Sequence, residues 1–225
     1  MYIELVDALR CPRPHEDSWL VARAERMEAR HVLEGALGCP VCRAEFPVHA
    51  GVVDMSLGTH LRPADPRTPD REQALRLAAF LALGDSQGFA VLLGAWGAHA
   101  PALRELVDCP LLLVDPPAEV RAEPGLSIIR TSGDVPLAMG AARGMAIDIA
   151  DLHGDHPSRV RSAVQVTRAA GRVVAPASLP LPDGLRELAR DADLWVAERE
   201  PAPAPFIALH VRRGGGQMPA GYPKP

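Results

Sequence analysis

Two rhythms of apolar and polar residues divide the chain. In residues 1–58 the apolar runs are short and interrupted by turn formers: Ser18-Trp19-Leu20-Val21-Ala22, His31-Val32-Leu33-Glu34-Gly35, Phe46-Pro47-Val48 and Val52-Val53. That spacing predicts a small β-rich module. Residues 59–69 follow as a linker, since His60 to Pro69 is rich in proline and polar residues. A helix is then predicted, with Thr68 as cap, Pro69 in the first turn, and Asp70 and Glu72 at the positive end of its dipole. Ala74, Leu75, Leu77, Ala78, Leu81 and Ala82 recur at helical spacing.

From Phe89 onward the pattern alternates between buried strands and helices. The apolar runs are Phe89–Leu93, Leu111–Val114, Ser127–Ile129, Met145–Ile149 and Arg172–Ala175, with helix-compatible stretches at Ala100–Val107 and Ser158–Ala169. Short, continuously apolar runs separated in this way predict an α/β fold with a parallel sheet covered by helices. Leu194–Ala197 and Phe206–Val211 have only Pro/Ala-rich chain between them and suggest a closing antiparallel pair. Residues 214–225 lack the apolar side chains to fold alone and are expected to form a flexible tail.

Composition narrows the function classes. The chain has 225 residues, 48% of them hydrophobic, so a sizeable core can be buried. The net charge is −4, which argues against a broad nucleic-acid surface. Lys224 is the single lysine among 24 basic residues, and the arginines are interleaved with acids. The longest apolar candidate, Leu75 to Ala95, is broken by Asp85, Ser86 and Gln87, so no membrane span is expected. The start, Met1-Tyr2-Ile3-Glu4, lacks a basic region leading into an apolar stretch, so no signal peptide is expected and the protein is read as cytoplasmic. Its cysteines are then read as thiols or ligands.

The sharpest motif is Cys39-Pro40-Val41-Cys42. Two cysteines two residues apart direct two thiolates at one point, which is how a zinc knuckle supplies half of a tetrahedral site. Upstream, Cys11-Pro12-Arg13-Pro14-His15 has proline where a second knuckle carries its second cysteine. Two readings stand: zinc held by Cys11, His15, Cys39 and Cys42, or a metal-free module docked on the larger part.

Ordered elements add a resemblance. The course from Asp115 through Gly133-Asp134-Val135-Pro136-Leu137 to Ala146-Ile147-Asp148, then Leu152-His153, Asp155, Pro157 and Val166 to Val174, resembles the class I S-adenosylmethionine-dependent methyltransferases, in their ubiquinone-biosynthesis-like branch. It covers about residues 70–213. Leu9-Arg10-Cys11-Pro12, Leu37 to Cys42, Phe46-Pro47-Val48 and Gly51-Val52 are similar to the small zinc-ribbon proteins that activate tRNA and protein methyltransferases. These likenesses imply a Rossmann-like methyltransferase domain, with a mostly parallel seven-stranded sheet and an antiparallel final strand, preceded by a zinc-ribbon-like module.

The resemblance also implies a cofactor site of Gly94, Trp96, Gly97, Asp115 and Asp134. In the family a glycine-x-glycine-x-glycine loop and an acidic residue hold the methionine half. Here the loop reads Leu92-Leu93-Gly94-Ala95-Trp96-Gly97-Ala98, with Trp96 and Ala98 at glycine positions and Leu92 in place of the acid. Asp115 lies about 20 residues after Gly94, the spacing of a ribose-binding carboxylate, and Asp134 matches the adenine contact. An indole at position 96 either fills the pocket or lines it. His153 and Asp148 are acid/base candidates, and no catalytic residue is assigned. No asparagine-proline-proline-tyrosine run is present, so methylation of a flipped base is not indicated. The expected function is a methyltransferase-like protein acting on a small molecule or protein. The alternatives are a non-catalytic scaffold that binds a protein partner, and an adenosine-derivative sensor.

Overall fold

A computed structural model describes residues 1–59, 64–84, 88–148 and 156–201. Its centre is one sheet of eleven strands: β1 (Val21–Glu28), β2 (His31–Gly38), β3 (Glu45–His49), β4 (Val52–Met55), β5 (Ala90–Gly94), β6 (Leu111–Val114), β7 (Leu126–Thr131), β8 (Ala142–Asp148), β9 (Thr167–Pro176), β10 (Leu185–Arg190) and β11 (Leu194–Arg199). Among the described residues three α-helices accompany it: α1 (Arg71–Phe80), α2 (Ala100–Arg104) and α3 (His156–Val166).

The strand order is β1-β2-β3-β4-β7-β6-β5-β8-β9-β11-β10. Strands β4, β7, β6, β5, β8 and β9 run parallel, and β11 runs antiparallel between β9 and β10. The sheet therefore grows outward from β5 to β6 and β7, then restarts on the other side at β8. Strands β5 to β11 make the mostly parallel seven-stranded Rossmann-like sheet that the methyltransferase resemblance implies, with its antiparallel strand the last of the seven in sequence.

Burial explains the parallel centre. Every residue of β5, β6 and β8 is buried, as strands covered on both faces require. Alternate side chains feed two cores. Val91, Leu93, Leu112, Val114, Met145 and Ile147 join the face packed on the N-terminal strands and α3. Ala90, Leu92, Leu111, Leu113 and Ala146 join the face covered by α1 and α2. The period of two along each strand sorts them.

Three expectations shift. The cap of α1 is Asp70, whose side chain accepts from the Glu72 N–H, so the helix starts later than Thr68. Leu75 is exposed, whereas Ala74, Leu77 and Leu81 carry its buried face. Helix α3 ends at Val166, and Thr167 to Gly171 belong to the long strand β9. There the backbone of β8 recruits an alanine-rich stretch that would otherwise favour helix. Strand β11 forms a hairpin with β10; Phe206–Val211 lies outside the described residues, as does the 214–225 tail.

The N-terminal strands continue the same sheet. Val52 to Met55 of β4 pair in parallel with Ile128 to Thr131 of β7, so the β-rich module is fused edge to edge with the Rossmann-like part. Among the described residues no helix is long and apolar enough to cross a membrane.

Candidate functional site

The cysteine cluster is built by two loops. The turn between β2 and β3 carries Cys39 and Cys42, and it is closed by Cys39 N–H to Ala44 O at 2.9 Å and Arg43 N–H to Cys39 O at 2.9 Å. Arg43 takes a left-handed φ of 59° to complete it. A bridge between Arg10 and Trp19, with Cys11 N–H donating to Ser18 O at 3.1 Å, closes the second loop, which carries Cys11 and His15.

The four donor atoms lie within 4.8 Å of one another. Cys11 Sγ is 3.7 Å from Cys42 Sγ, and Cys39 Sγ is 3.4 Å from His15 Nε2. A tetrahedral zinc with its usual bond lengths has sulfur–sulfur edges of about 3.8 Å and sulfur–nitrogen edges of about 3.5 Å. A disulfide needs about 2.05 Å, and all three cysteines are free thiols. His15 Nδ1 meets the Glu16 carbonyl at 2.5 Å. A carbonyl can only accept, so Nδ1 carries the proton and the Nε2 lone pair faces the sulfurs.

The thiol electrostatics suit a cation. Burial works against the Cys39 anion, but the backbone N–H groups of Cys42 and Val41 outweigh it and hold this thiol at about 6. Burial pushes the Cys11 thiol up to about 12, and the neighbouring Cys39 and Cys42 sulfurs push the same way. A thiolate is favoured on Cys39 and opposed on Cys11 while no positive charge compensates it. The donor set and both edge lengths fit zinc.

The second region is the crevice beyond the C-terminal ends of β5, β6 and β8. Gly94 leaves β5 at φ 73°, ψ −135°, a conformation closed to side chains. A 3₁₀ turn over Ala95–His99 follows. Trp96 is 5% exposed and packs among Leu77, Leu103 and Leu113, its ring 5.7 Å from that of His99. The indole is thus core on the α1/α2 face, and its Nε1 has no hydrogen-bond partner. Gly97 presses on the loop after β6: a Cβ there would sit 2.5 Å from Pro116 Cβ. His99 Nδ1 accepts from the Asp70 N–H at 3.2 Å, tying this loop to the start of α1. Burial, helped by the Arg67 charge, pushes the His99 pKa below its ordinary value.

Asp115 ends β6 in a left-handed conformation, φ 50°. Its Oδ1 accepts from the Thr131 N–H at 2.9 Å, and its Oδ2 lies 2.5 Å from Arg159 Nη2 of α3. Both side chains of this pair are 4% exposed. Burial pushes the Asp115 carboxyl up, while Arg159 and the Thr131 N–H pull against it. At the end of β8, Asp148 is paired with Arg67 at 2.7 Å. Each of these two carboxylates is thus met by an arginine of the same chain.

Gly94, Trp96, Gly97 and Asp115 therefore gather at one end of the sheet. Asp134 does not join them. It is exposed, accepts from Ser158 Oγ at 2.9 Å, and lines a different cleft beyond β7. His153 falls outside the described residues. Sequence reasoning missed Arg159 and Arg67. Arg159 had a signal: it shares the buried phase of α3 with Ser162, Ala163 and Val166, an odd place for an uncompensated cation. Arg67, in an irregular segment, had none.

No family model matches the sequence, and no curated protein matches it. Solved structures do. Geranyl diphosphate C-methyltransferase from Streptomyces coelicolor A3(2), solved with S-adenosyl-L-homocysteine, is similar at a TM-score of 0.39 and 16% identity, over 46% of this chain and 42% of that one. The chain thus spans less than half of that enzyme's length. A candidate S-adenosyl-L-methionine-dependent methyltransferase from Methanococcus maripaludis is similar at a TM-score of 0.41 and 10% identity, over 64% of this chain and 99% of that one. A candidate methyltransferase of an antibiotic biosynthesis pathway from Anabaena variabilis gives 0.41 and 15% identity, over 49% and 46%.

Proposed function

We propose that this chain is a methyltransferase-fold protein that works without S-adenosylmethionine, as a pseudoenzyme that binds a partner protein, with one zinc ion bracing its N-terminal loops. The observation that carries this reading is the buried pair of Asp115 and Arg159. A carboxylate that serves a ribose must offer its oxygens to hydroxyl donors. Here one oxygen serves the backbone of Thr131 and the other a guanidinium. Separating such a pair leaves two buried charges, at a cost of roughly 3–5 kcal/mol. The Gly97–Pro116 contact supports the same reading, because it holds the turn after Gly94 tightly against the loop after β6.

Zinc, held by Cys11, His15, Cys39 and Cys42, would neutralise the clustered thiolates and fix the two loops against each other. Its role is structural, since the four protein donors complete a tetrahedron.

One observation favours the catalytic alternative: Gly94 keeps the glycine-only backbone of a ligand-approaching loop. Calorimetric titration decides between them. With S-adenosylmethionine and S-adenosylhomocysteine, wild-type protein should give neither binding heat nor a thermal shift. Micromolar binding that disappears in Asp115→Asn would overturn the proposal and reinstate a working methyltransferase on a small molecule or protein.

A further inference from the structure

A cleft of about 720 Å³ lies beyond β4 and β7, between the Cys11 loop and the start of α3. Its size falls in the usual range of small-molecule sites, about 300–1,000 Å³. Gly94, Trp96 and Asp115 do not line it, but Thr131 and Arg159, which both bind Asp115, do, so it adjoins the crevice discussed above and shares that wall. We propose that this cleft binds a small amphipathic anion, its head group held by Arg10 and Arg159 and its apolar body lying against Leu57 and Met139.

The head-group end rests on unmet donors. Among the described residues three buried side-chain nitrogens lack a hydrogen-bond partner, and two of them are Arg10 Nε and Arg159 Nε. Both arginines line this cleft. Arg159 is 3% exposed and committed to Asp115 through Nη2, which leaves its Nε–H unused. Arg10 gives Nη1 to the carbonyls of Asp7 and Leu9, and its Nε has only the Asp17 carboxylate at 3.4 Å, long for a charge-assisted bond. A buried donor left unmade costs about 1–3 kcal/mol. Carboxylate, sulfonate or phosphate oxygens match guanidinium geometry. The cleft also receives Ser158, in the first turn of α3, where the helix dipole favours negative charge. Two carboxylates share the cleft: Asp17 beside Arg10, and Asp134, which accepts from Ser158. Asp134 keeps the head group off the Ser158 wall, and at Arg10 the anion takes the place of Asp17, whose side chain is 77% exposed and can turn into solvent.

The apolar end rests on exposed side chains grouped at the mouth. Met139 is 78% exposed and Leu57 50% exposed, and both line the cleft. Large apolar groups gathered at the mouth of a pocket with buried cations favour a ligand that is itself two-ended.

The test uses a pair of dyes. 8-Anilinonaphthalene-1-sulfonate should bind the full chain at one equivalent, and its uncharged relative N-phenyl-1-naphthylamine should bind at least tenfold more weakly. Arg10→Met and, independently, Met139→Glu should each weaken the sulfonate dye at least tenfold. Met139 is so exposed that its replacement leaves folding intact. Decanoate or decyl phosphate should displace the dye, and whichever is stronger identifies the head group. Equal binding of the two dyes, unchanged binding in Met139→Glu, or failure of both competitors would overturn the proposal. S-adenosylmethionine should not displace the dye; displacement would merge this cleft with the Gly94 crevice and overturn it independently of whether that crevice is alive.

Discussion

The Cys11 cluster and the Gly94 crevice handle polar groups in opposite ways. In the cluster, like gathers with like: three sulfurs and an imidazole nitrogen, all electron-pair donors, are drawn to one point. They gain little from each other's company: burial first, and the neighbouring Cys39 and Cys42 sulfurs after it, push the Cys11 thiol up. In the crevice, opposites are paired: Asp115 with Arg159, Asp148 with Arg67. Groups that repel one another are what a cation site collects. Internal pairing fits the proposed loss of the cofactor, because a buried charge without a partner is too costly to keep. Both regions derive from recognisable motifs, so motif survival alone does not separate them. What the side chains have found to bind does.

Breaking the cluster carries the largest expected effect. Elemental analysis should find one zinc per chain. Its removal by a strong chelator, or Cys39→Ser, should melt the Cys11 and Cys39 loops, since structural zinc contributes on the order of 10 kcal/mol to small metal-held units. An unchanged melt with no zinc bound would sink the metal reading.

Next comes the pair in the crevice. Arg159→Met should destabilise the fold by about 3–5 kcal/mol in chemical denaturation, because it strands the buried Asp115 carboxylate. Adding Asp115→Asn should recover most of that loss. A cost below about 1 kcal/mol for Arg159→Met would show that the arginine leaves readily, and the contrast between the two regions would fail.

Gly97→Ala sharpens the same point at smaller cost. The new methyl meets Pro116 at 2.5 Å, and overpacking of this kind costs about 1–3 kcal/mol. A neutral result by thermal melting would mean that the two loops part easily.

The smallest effect is in pH. His31 and His99 are both buried, and burial lowers both pKa values from 6.5. Their neutral forms are the folded forms, so their contribution to stability is complete above the ordinary histidine pKa. It declines as pH falls from about 7 towards 5, where the unfolded chain takes up protons first. Denaturation midpoints across that window should fall, and His99→Gln should flatten the slope. An identical slope in the variant would remove His99 from the account.

The sheet centre was legible because Phe89–Leu93, Leu111–Val114 and Met145–Ile147 are apolar on both faces, as strands covered by helices on both sides require. Strand β10 was not. Leu185–Arg190 is buried only at Leu185, so its strand character comes from pairing with β11 and leaves no mark on its side chains. The start of β9 was hidden for the opposite reason: its alanines look helical, and only contact with β8 straightens them. In the cluster, the Cys39–Cys42 spacing pointed to half of a candidate site, Cys11 and His15 were named from the upstream loop, and the structure brings all four together. In the crevice the positions of Gly94 and Asp115 were readable. Their engagement was not, because Arg159 comes from a helix 44 residues away in sequence from Asp115.

The pairing of β4 with β7 also sets an order of assembly. Val52 must find Ile128 across the whole of β5 and β6, so this contact carries one of the larger loop-closure entropies in the molecule. During synthesis the N-terminal hairpins leave the ribosome well before their docking strand exists. They must hold themselves together until β7 arrives, and β4 meanwhile presents an unpaired strand edge. A metal ion clasping the Cys11 and Cys39 loops would serve that interval as much as it serves the finished fold.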